Sequence, residues 1–323
     1  MDQRLITALI VVIGVPGVLF GYIVLTERLL SLAPDRARAR LRPWVWLAPA
    51  IGFLGVFLVY PTLYTIYLSF LDKLSKNFVG FDNYVYFLTT SDTLTALRNN
   101  AIWLVLLTLF AVGGGLLIAI LVDRVRYESV AKSIIFVPLA ISFVGASVIW
   151  NFMYAFRSPG QPQTGTLNGI VTTAGANPVP WLINAPWNTI ALIIVATWIW
   201  TGFCMVILSG ALKGISTELL EAARVDGANE LQVFRGITFP LLLPTIAVVA
   251  TTMVITSLKA FDIVYVMTNG AYDTEVIANR MIKELFTFGQ PGRASATAVL
   301  LLLLIIPVMA VNIRRFRAQE AIR

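Results

Sequence analysis

Histidine is absent from this 323-residue chain, and cysteine occurs once. Without histidine there is no imidazole base, no proton switch near neutral pH and no histidine metal ligand. The single Cys204 lies in an apolar stretch, which excludes a disulfide framework and a thiolate metal cluster. Charge is scarce as well: 13% of the residues are charged, about half the usual quarter. No lysine follows a glycine, so G-x-x-x-x-G-K-[ST] is missing and the chain has no Walker-type nucleotide site of its own. A G-x-S-x-G elbow is also missing, which leaves no basis for an intramembrane enzyme.

What remains is mostly apolar. Hydrophobic residues make up 58% of the chain and the mean hydropathy is +0.82. Such values exclude a disordered tail, a coiled coil, a collagen and an ordinary soluble enzyme. A helix needs roughly 20 apolar residues to cross about 30 Å of hydrocarbon. Seven segments qualify: Leu5–Leu25, Trp44–Phe70, Ala101–Val122, Ser133–Met153, Thr189–Ala211, Leu241–Phe261 and Ala294–Ile313. Backbone polar groups at membrane depth must be satisfied within their own segment, so these runs are expected as helices. They are continuous and too long for barrel strands. The fold class is therefore an all-α polytopic membrane protein. Pro49, Pro61, Pro138 and Pro307 lie in or near spans and are expected to kink them. The first segment is expected to be retained as a span, since its run is longer than a signal peptide's apolar region, although Ser31-Leu32-Ala33 faintly resembles a cleavage site. Gly17 and Gly21 form one G-x-x-x-G there, either a helix contact face or chance.

The net charge of +7 follows the loops. Fifteen of the 24 Lys and Arg residues fall in one alternate set of connections, from Arg28 and Arg36 through Arg124 and Lys213 to Arg314 and Arg323. The positive-inside rule makes that set cytoplasmic, with the N-terminus outside and the C-terminus inside. The basic residues thus read as a topology signal, and no nucleic-acid partner is expected. Residues 156–186 form an outer loop rich in Gly, Pro, Asn and Thr, expected to be irregular. No soluble domain fits between the spans.

One inner connection carries a motif. Glu221-Ala222-Ala223 is followed by Asp226-Gly227 and, after nine residues, by Ile237-Thr238-Phe239-Pro240. Thr217–Asp226 is a helix candidate with Glu218 in its first turn, where the dipole favours an acid. Gly227 is placed to end it in the left-handed conformation. Ten residues are too few for a stable isolated helix, so it must dock on something, and the small alanines permit close approach. The plainer alternative is an amphipathic connector lying on the membrane or on its own helices. The spacing resembles the EAA motif of permease subunits of binding-protein-dependent ATP-binding-cassette importers, with Phe239 where that family usually has leucine.

The resemblance extends from Trp44 onward. Phe78-Val79-Gly80-Phe81-Asp82-Asn83-Tyr84 resembles the family's V-G-L-x-N-Y/F element, and Gly165-Thr166-Leu167-Asn168 its G-x-x-N turn. Lys259 through Gly270 resembles the K-x-F-D-x-I/V-Y-x-x-T-x-G stretch of carbohydrate permeases, and Gly292–Arg317 continues it. The chain looks most like the maltose-type sugar permeases, particularly those for α-glucosides. The resemblance implies a type I importer permease fold, with residues 1–43 as an extra helix and basic linker. Residues 44–323 would then be a six-helix core with the coupling loop at 212–240. It implies that Glu221, Ala222, Ala223, Asp226, Gly227, Ile237 and Pro240 couple to an ATPase. The implied partners are a second permease subunit, two ATPase subunits that hold the ATP and Mg, an external sugar-binding protein, and membrane lipid. No cofactor is expected in this chain, and no enzyme activity.

Candidate path residues come from chemistry. Trp198, Trp200 and Thr201 form an aromatic and polar series with Ser209 on the fifth span, suited to sugar C–H faces and hydroxyls. Thr256 and Ser257 precede Lys259, and Asp262 follows it at i+3. On one helix face Lys259 and Asp262 can pair, either at the mouth of a path or as a structural pair. An ion-coupled secondary transporter is the competing class; it is expected to show matched interrupted spans and intramembrane acids. A structural membrane subunit is a further alternative, but it leaves the EAA spacing unexplained.

Overall fold

The computed structural model describes residues 3–32, 34–123 and 125–320, and these are almost wholly helical. Ala33 of the cleavage-like stretch, and Arg124 and Arg323 of the basic set, lie outside the described residues. Among the described residues the one extended pairing is an isolated antiparallel bridge between Leu71 and Phe78. Six helices are long and apolar enough to cross a membrane, and a seventh candidate is a bent pair. The chain divides into two compact units, one ending at Tyr64 and one beginning at Thr65.

The first unit contains α1 (Gln3–Ser31) and α2 (Asp35–Leu54). The Tyr22 hydroxyl donates to the Val45 carbonyl, and Glu27 accepts from Arg42 at 2.7 Å. Pro43 and Trp44, where the sequence divides the basic linker from the core, lie inside α2. No side chain of α2 is buried, as suits a helix whose apolar surface meets lipid.

Past α2 a π-helical turn, Gly55–Val59, leads into α3 (Tyr60–Ser69). Pro61 has no N–H to give the preceding turn, and the widened turn absorbs that loss, with Tyr60 N–H reaching back to the Gly55 carbonyl. The same device recurs at Phe234–Thr238, just ahead of Pro240.

The second unit is built around α5 (Ser91–Val122) and α9 (Trp187–Lys213). Their backbones approach closely at Gly115, where a β-carbon would stand 2.6 Å from the Cys204 β-carbon. Buried Trp103, Leu107, Ala111, Leu192, Ile199, Met205 and Leu208 fill this seam. Around it lie α4 (Asp82–Thr89), α6 (Glu128–Phe136), α7 (Phe143–Tyr154), α8 (Thr166–Thr173), α10 (Thr217–Val225) and α11 (Glu230–Val233). The chain continues through α12 (Phe239–Leu258), α13 (Asp262–Met267), α14 (Ile277–Ile282) and α15 (Pro291–Glu320).

The structure departs from the sequence reading in three places. The expected span Ser133–Met153 is not one kinked helix: α6 and α7 are bent by 101°. Pro138 sits in a tight 3-10 turn, Val137–Ala140, and Ser142 restarts the helix by accepting from the Gly145 N–H at 3.0 Å. The span expected to reach Phe261 stops at Leu258, and α13 begins anew at Asp262. The loop 156–186 carries α8, anchored by Asn168, whose amide bridges the Ala155 and Val179 carbonyls and accepts from the Val179 N–H.

Two ends of this unit can be distinguished. The starts of α6 and α12 and the end of α9 share one end with α10 and α11, the EAA end. The far end holds the starts of α5, α9 and α15. There Asn99 donates to the Asp273 and Glu275 carbonyls, Asn100 to Ser257 and Leu258, and Asn188 to Tyr272.

Candidate functional site

At the EAA end, α10 is closed by a Schellman motif. Ala228 N–H reaches the Ala223 carbonyl at 3.0 Å, and Gly227 N–H the Arg224 carbonyl at 3.0 Å. This requires the φ of +89° that Gly227 adopts. Asn229 then starts α11 with a capping box. Its side chain accepts from Gln232 N–H at 2.9 Å, while Gln232 Oε1 accepts from Asn229 N–H at 2.8 Å. Arg224 Nε donates to Glu230 Oε1 at 2.8 Å, tying the two helices together. That hydrogen bond, and the carboxylate's charge, hold the Arg224 guanidinium further above its ordinary value.

α10 buries none of its side chains. Glu221, Ala222, Asp226 and Gly227 are exposed and Ala223 is half-buried. Val225 is 87% exposed. Leu220 and Arg224 turn the other way. With Ile120, Leu212, Ile215 and Phe234 they line a groove of about 480 Å³ between the loop and the helix ends. The loop therefore has one face toward its own helices and one bare face bearing Glu221, Ala222 and Asp226, with Ala223 at its edge. Ile237 lies in the π-helical turn and Pro240 in the first turn of α12, so the motif's second half is the joint between loop and span.

Nearer the far end, a cavity of about 350 Å³ lies among α5, α7, α9, α12 and α13. It brings together Trp200, Lys259 and Asp262 from the candidate path, with Thr256, Phe143 and Phe261. Trp198, Thr201 and Ser257 are not among its lining residues. Trp198 packs edge-on to Trp150 at 5.9 Å, Thr201 bonds to the Thr197 carbonyl at 2.6 Å, and buried Ser257 bonds to the Met253 carbonyl at 2.7 Å. Lys259 and Asp262 do not share a helix face, because the chain leaves the helix at Lys259 and re-enters it at Asp262. Among the described residues no ion pair joins them.

Both breaks in the helical spans converge on this cavity. Phe143 opens α7 and Asp262 opens α13, and each lines it. The cavity is mostly apolar, with Thr256, Lys259 and Asp262 as its polar side chains beside the indoles, and discontinuous helices are a recurrent way to bring such groups to membrane depth. The sequence reading did not include Trp103. It is 2% exposed, lines the cavity, and its indole N–H has no protein partner. A buried unpaired donor is costly, which singles Trp103 out among the cavity's lining residues. Its place in a continuous apolar run hid it.

This arrangement of spans, with an exposed helix–turn–helix ahead of the penultimate long helix, is the type I permease fold of ATP-binding-cassette importers. A chain of the bacterial ABC transporter involved in the import of the acidic polysaccharide alginate superposes with a TM-score of 0.75 at 24% identity, covering 88% of this chain and 99% of that one. Residues 93–315 match the binding-protein-dependent transport system inner membrane component family, and the chain belongs to that family. It is 58% identical to the osmoprotective compounds uptake permease GgtC of Synechocystis sp., over 86% of this chain and all of that one. It is 45% identical to the α-glucoside transport system permease AglF of Rhizobium meliloti, over 85% of this chain and 82% of that one.

Proposed function

We propose that this chain is the membrane permease of an ATP-driven importer for small, hydroxyl-rich solutes of the α-glucoside type. The observation that carries the coupling part is α10: a helix closed locally at its C-terminal end, with no buried side chain and a bare face bearing Glu221, Ala222 and Asp226. Glu221, Ala222, Ala223, Asp226 and Gly227 would seat in a separate ATPase subunit, and Ile237 and Pro240 would pass its movement to α12. The name of the relative AglF, an α-glucoside permease, supports the solute class, and that of GgtC, for osmoprotective compounds, supports uptake of small solutes.

The partners in this reading are a second permease, two ATPases that bind the ATP and Mg, and an external binding protein. The EAA end faces the cytoplasm, the N-terminus lies outside, and α1 is an addition to a six-span core. The solute passes the cavity, where Trp200 and Phe261 offer aromatic faces and Trp103, Thr256, Lys259 and Asp262 offer polar groups. Trp198, Thr201 and Ser257 then act through packing. Two of the spans are interrupted, as a secondary transporter's are, but the EAA loop has no role in that class.

The test is purification of the tagged chain from its membrane in mild detergent, with its companions identified by mass spectrometry. A co-purifying ATPase and second permease, with ATP-dependent uptake of labelled sucrose or trehalose into proteoliposomes, is the expected result. A lone chain that takes up these sugars on an ion gradient alone would overturn the reading.

A further inference from the structure

The proposed function leaves open how a movement of the loop reaches the cavity. A cluster at the EAA end supplies a connection. Glu128 opens α6 and Lys213 closes α9. Glu128 Oε1 accepts from Lys213 Nζ at 2.7 Å and also from Lys132 Nζ, one turn along α6. The Lys132 ammonium in turn contacts the hydroxyl of buried Ser209 on α9. The carboxylate and Lys132 are 22% and 18% exposed and Lys213 is 56% exposed, so water competes less for the Lys132 contact than for the Lys213 one.

Further along, α6 lies against α9 at Gly202. A β-carbon there would stand 2.4 Å from the Ile135 carbonyl oxygen and 2.8 Å from the Phe136 α-carbon. α6 is thus fixed to α9 at both of its ends, by ions at one and by backbone contact at the other. The two ends of this rigid piece lead to different places. From Lys213 the chain passes through Gly214, Ile215 and Ser216 into α10. From Phe136 it passes through the Pro138 turn into α7, whose Phe143 packs against Trp200 at 6.1 Å in the cavity wall.

We infer that Glu128 is a positioning residue for coupling: it holds α6 to the base of the EAA loop, so that α6 carries the loop's displacement to the α6–α7 break and the cavity wall. One carboxylate holds two ammonium groups. Without its charge Lys132 and Lys213 repel, and the joint between α6 and α9 opens while α10 stays intact. This inference rests on the importer reading above.

The test uses the whole transporter in proteoliposomes, with ATP hydrolysis and labelled sucrose or trehalose uptake measured together. Glu128→Gln keeps the shape and removes the charge. ATP turnover is expected to stay within about two-fold, while sugar imported per ATP falls roughly ten-fold, a coupling within the range for members of one hydrogen-bonded network. The exchange Glu128→Lys with Lys213→Glu restores the pair and is expected to recover the ratio. Lys213→Ala removes the ion pair between the helices while leaving Lys132 on Glu128 and Ser209, and should lower the ratio likewise, which covers the case in which Glu128→Gln fails to assemble. A merely structural role would reduce the amount of assembled complex and leave sugar per ATP unchanged; that result in either single variant overturns the inference. Failure of the unmodified complex to import sugar with ATP would instead overturn the importer reading.

Discussion

At the EAA end α10 buries no side chain and keeps its shape through bonds to residues at most six positions away, whereas at the far end Asn99, Asn100, Asn168 and Asn188 are buried and mostly bridge to distant backbone. Asn99 reaches 174 and 176 residues along the chain. The backbone there is also unusual: Asn269, Tyr272 and Asp273 have positive φ. Such conformations persist only where surroundings over-determine them. The contrast separates two requirements. A segment that docks on another protein, as proposed for α10, must hold its form without burying the side chains it offers, and here the Gly227 turn and the Asn229 capping box do so locally. A rim meant to stay still while spans move can lock irregular backbone with buried amides.

The sharpest way to break the comparison is to remove one lock. Asn168→Ala orphans the Ala155 carbonyl and the Val179 N–H, where Asn168 bonds at 3.0 and 2.8 Å, and takes one of two donors from the Val179 carbonyl, which keeps the Trp181 N–H. A buried orphan costs about 1–3 kcal/mol; these two are partly buried, so the loss is expected near 2–4 kcal/mol in all. Denaturant unfolding in micelles reads it, and a loss below about 1 kcal/mol would show that the amide is not a lock.

The reverse experiment belongs at the EAA end. Gly227→Pro cannot adopt a φ of +89° and destroys the Schellman turn. Because α10 buries nothing, thermal stability of the chain should move by no more than about 0.5 kcal/mol. Uptake should fall about 100-fold, equivalent to roughly 2.7 kcal/mol of coupling. Normal uptake would remove α10 from the coupling path; a large stability loss would show that it is not locally held.

These two ends were unequally legible in the sequence. Gly227 and the Glu221-Ala222-Ala223 spacing announce a capped helix because capping is local, and the structure has that cap at the expected residue. Asn168 and Asn83 were visible only within short family-like elements, without the roles they prove to have. Asn83 bridges the Ser69 and Leu71 carbonyls. Asn99, Asn100 and Asn188 gave no signal, since their partners are 84 to 177 residues away. The spans were legible as apolar runs. The two breaks were not, because composition is continuous through Ser133–Met153 and through Lys259. A proline in such a run is read as a kink, and only the Ser142 cap turns it into a corner. The cavity followed from those breaks, so its membership was half legible: Trp200, Lys259 and Asp262 were named and Trp103 was not.

Trp103→Phe sharpens the comparison in the cavity, which lies between the two ends. The substitution keeps the aromatic bulk and removes only the unpaired N–H. If that donor meets a solute hydroxyl, KM for uptake rises about ten-fold, or roughly 1.4 kcal/mol, with little change in ATP turnover. An unchanged KM would return Trp103 to packing alone.

The smallest effect is expected at the turn after α3, a far-end element that resembles α10 in being held locally. Asp72 accepts from Lys76 N–H at 2.8 Å, Asn77 Nδ2 at 3.0 Å and Leu74 N–H at 3.1 Å. The Lys76 N–H above all holds its carboxyl below the ordinary value of 3.8. A depressed carboxyl stabilises the turn fully above that ordinary value and ceases to do so as pH falls through the depressed one. Hydrogen exchange at the Leu74 and Lys76 amides should therefore show the same protection factors from pH 8 to pH 5 and lower ones near pH 3. Gly292 presses on this turn, its β-position 2.1 Å from the Asp72 carbonyl oxygen. Loosening confined to residues 72–77 would class the turn with α10 as a local unit. Loss of protection spreading into α15 would place it instead among the long-range locks of the far end.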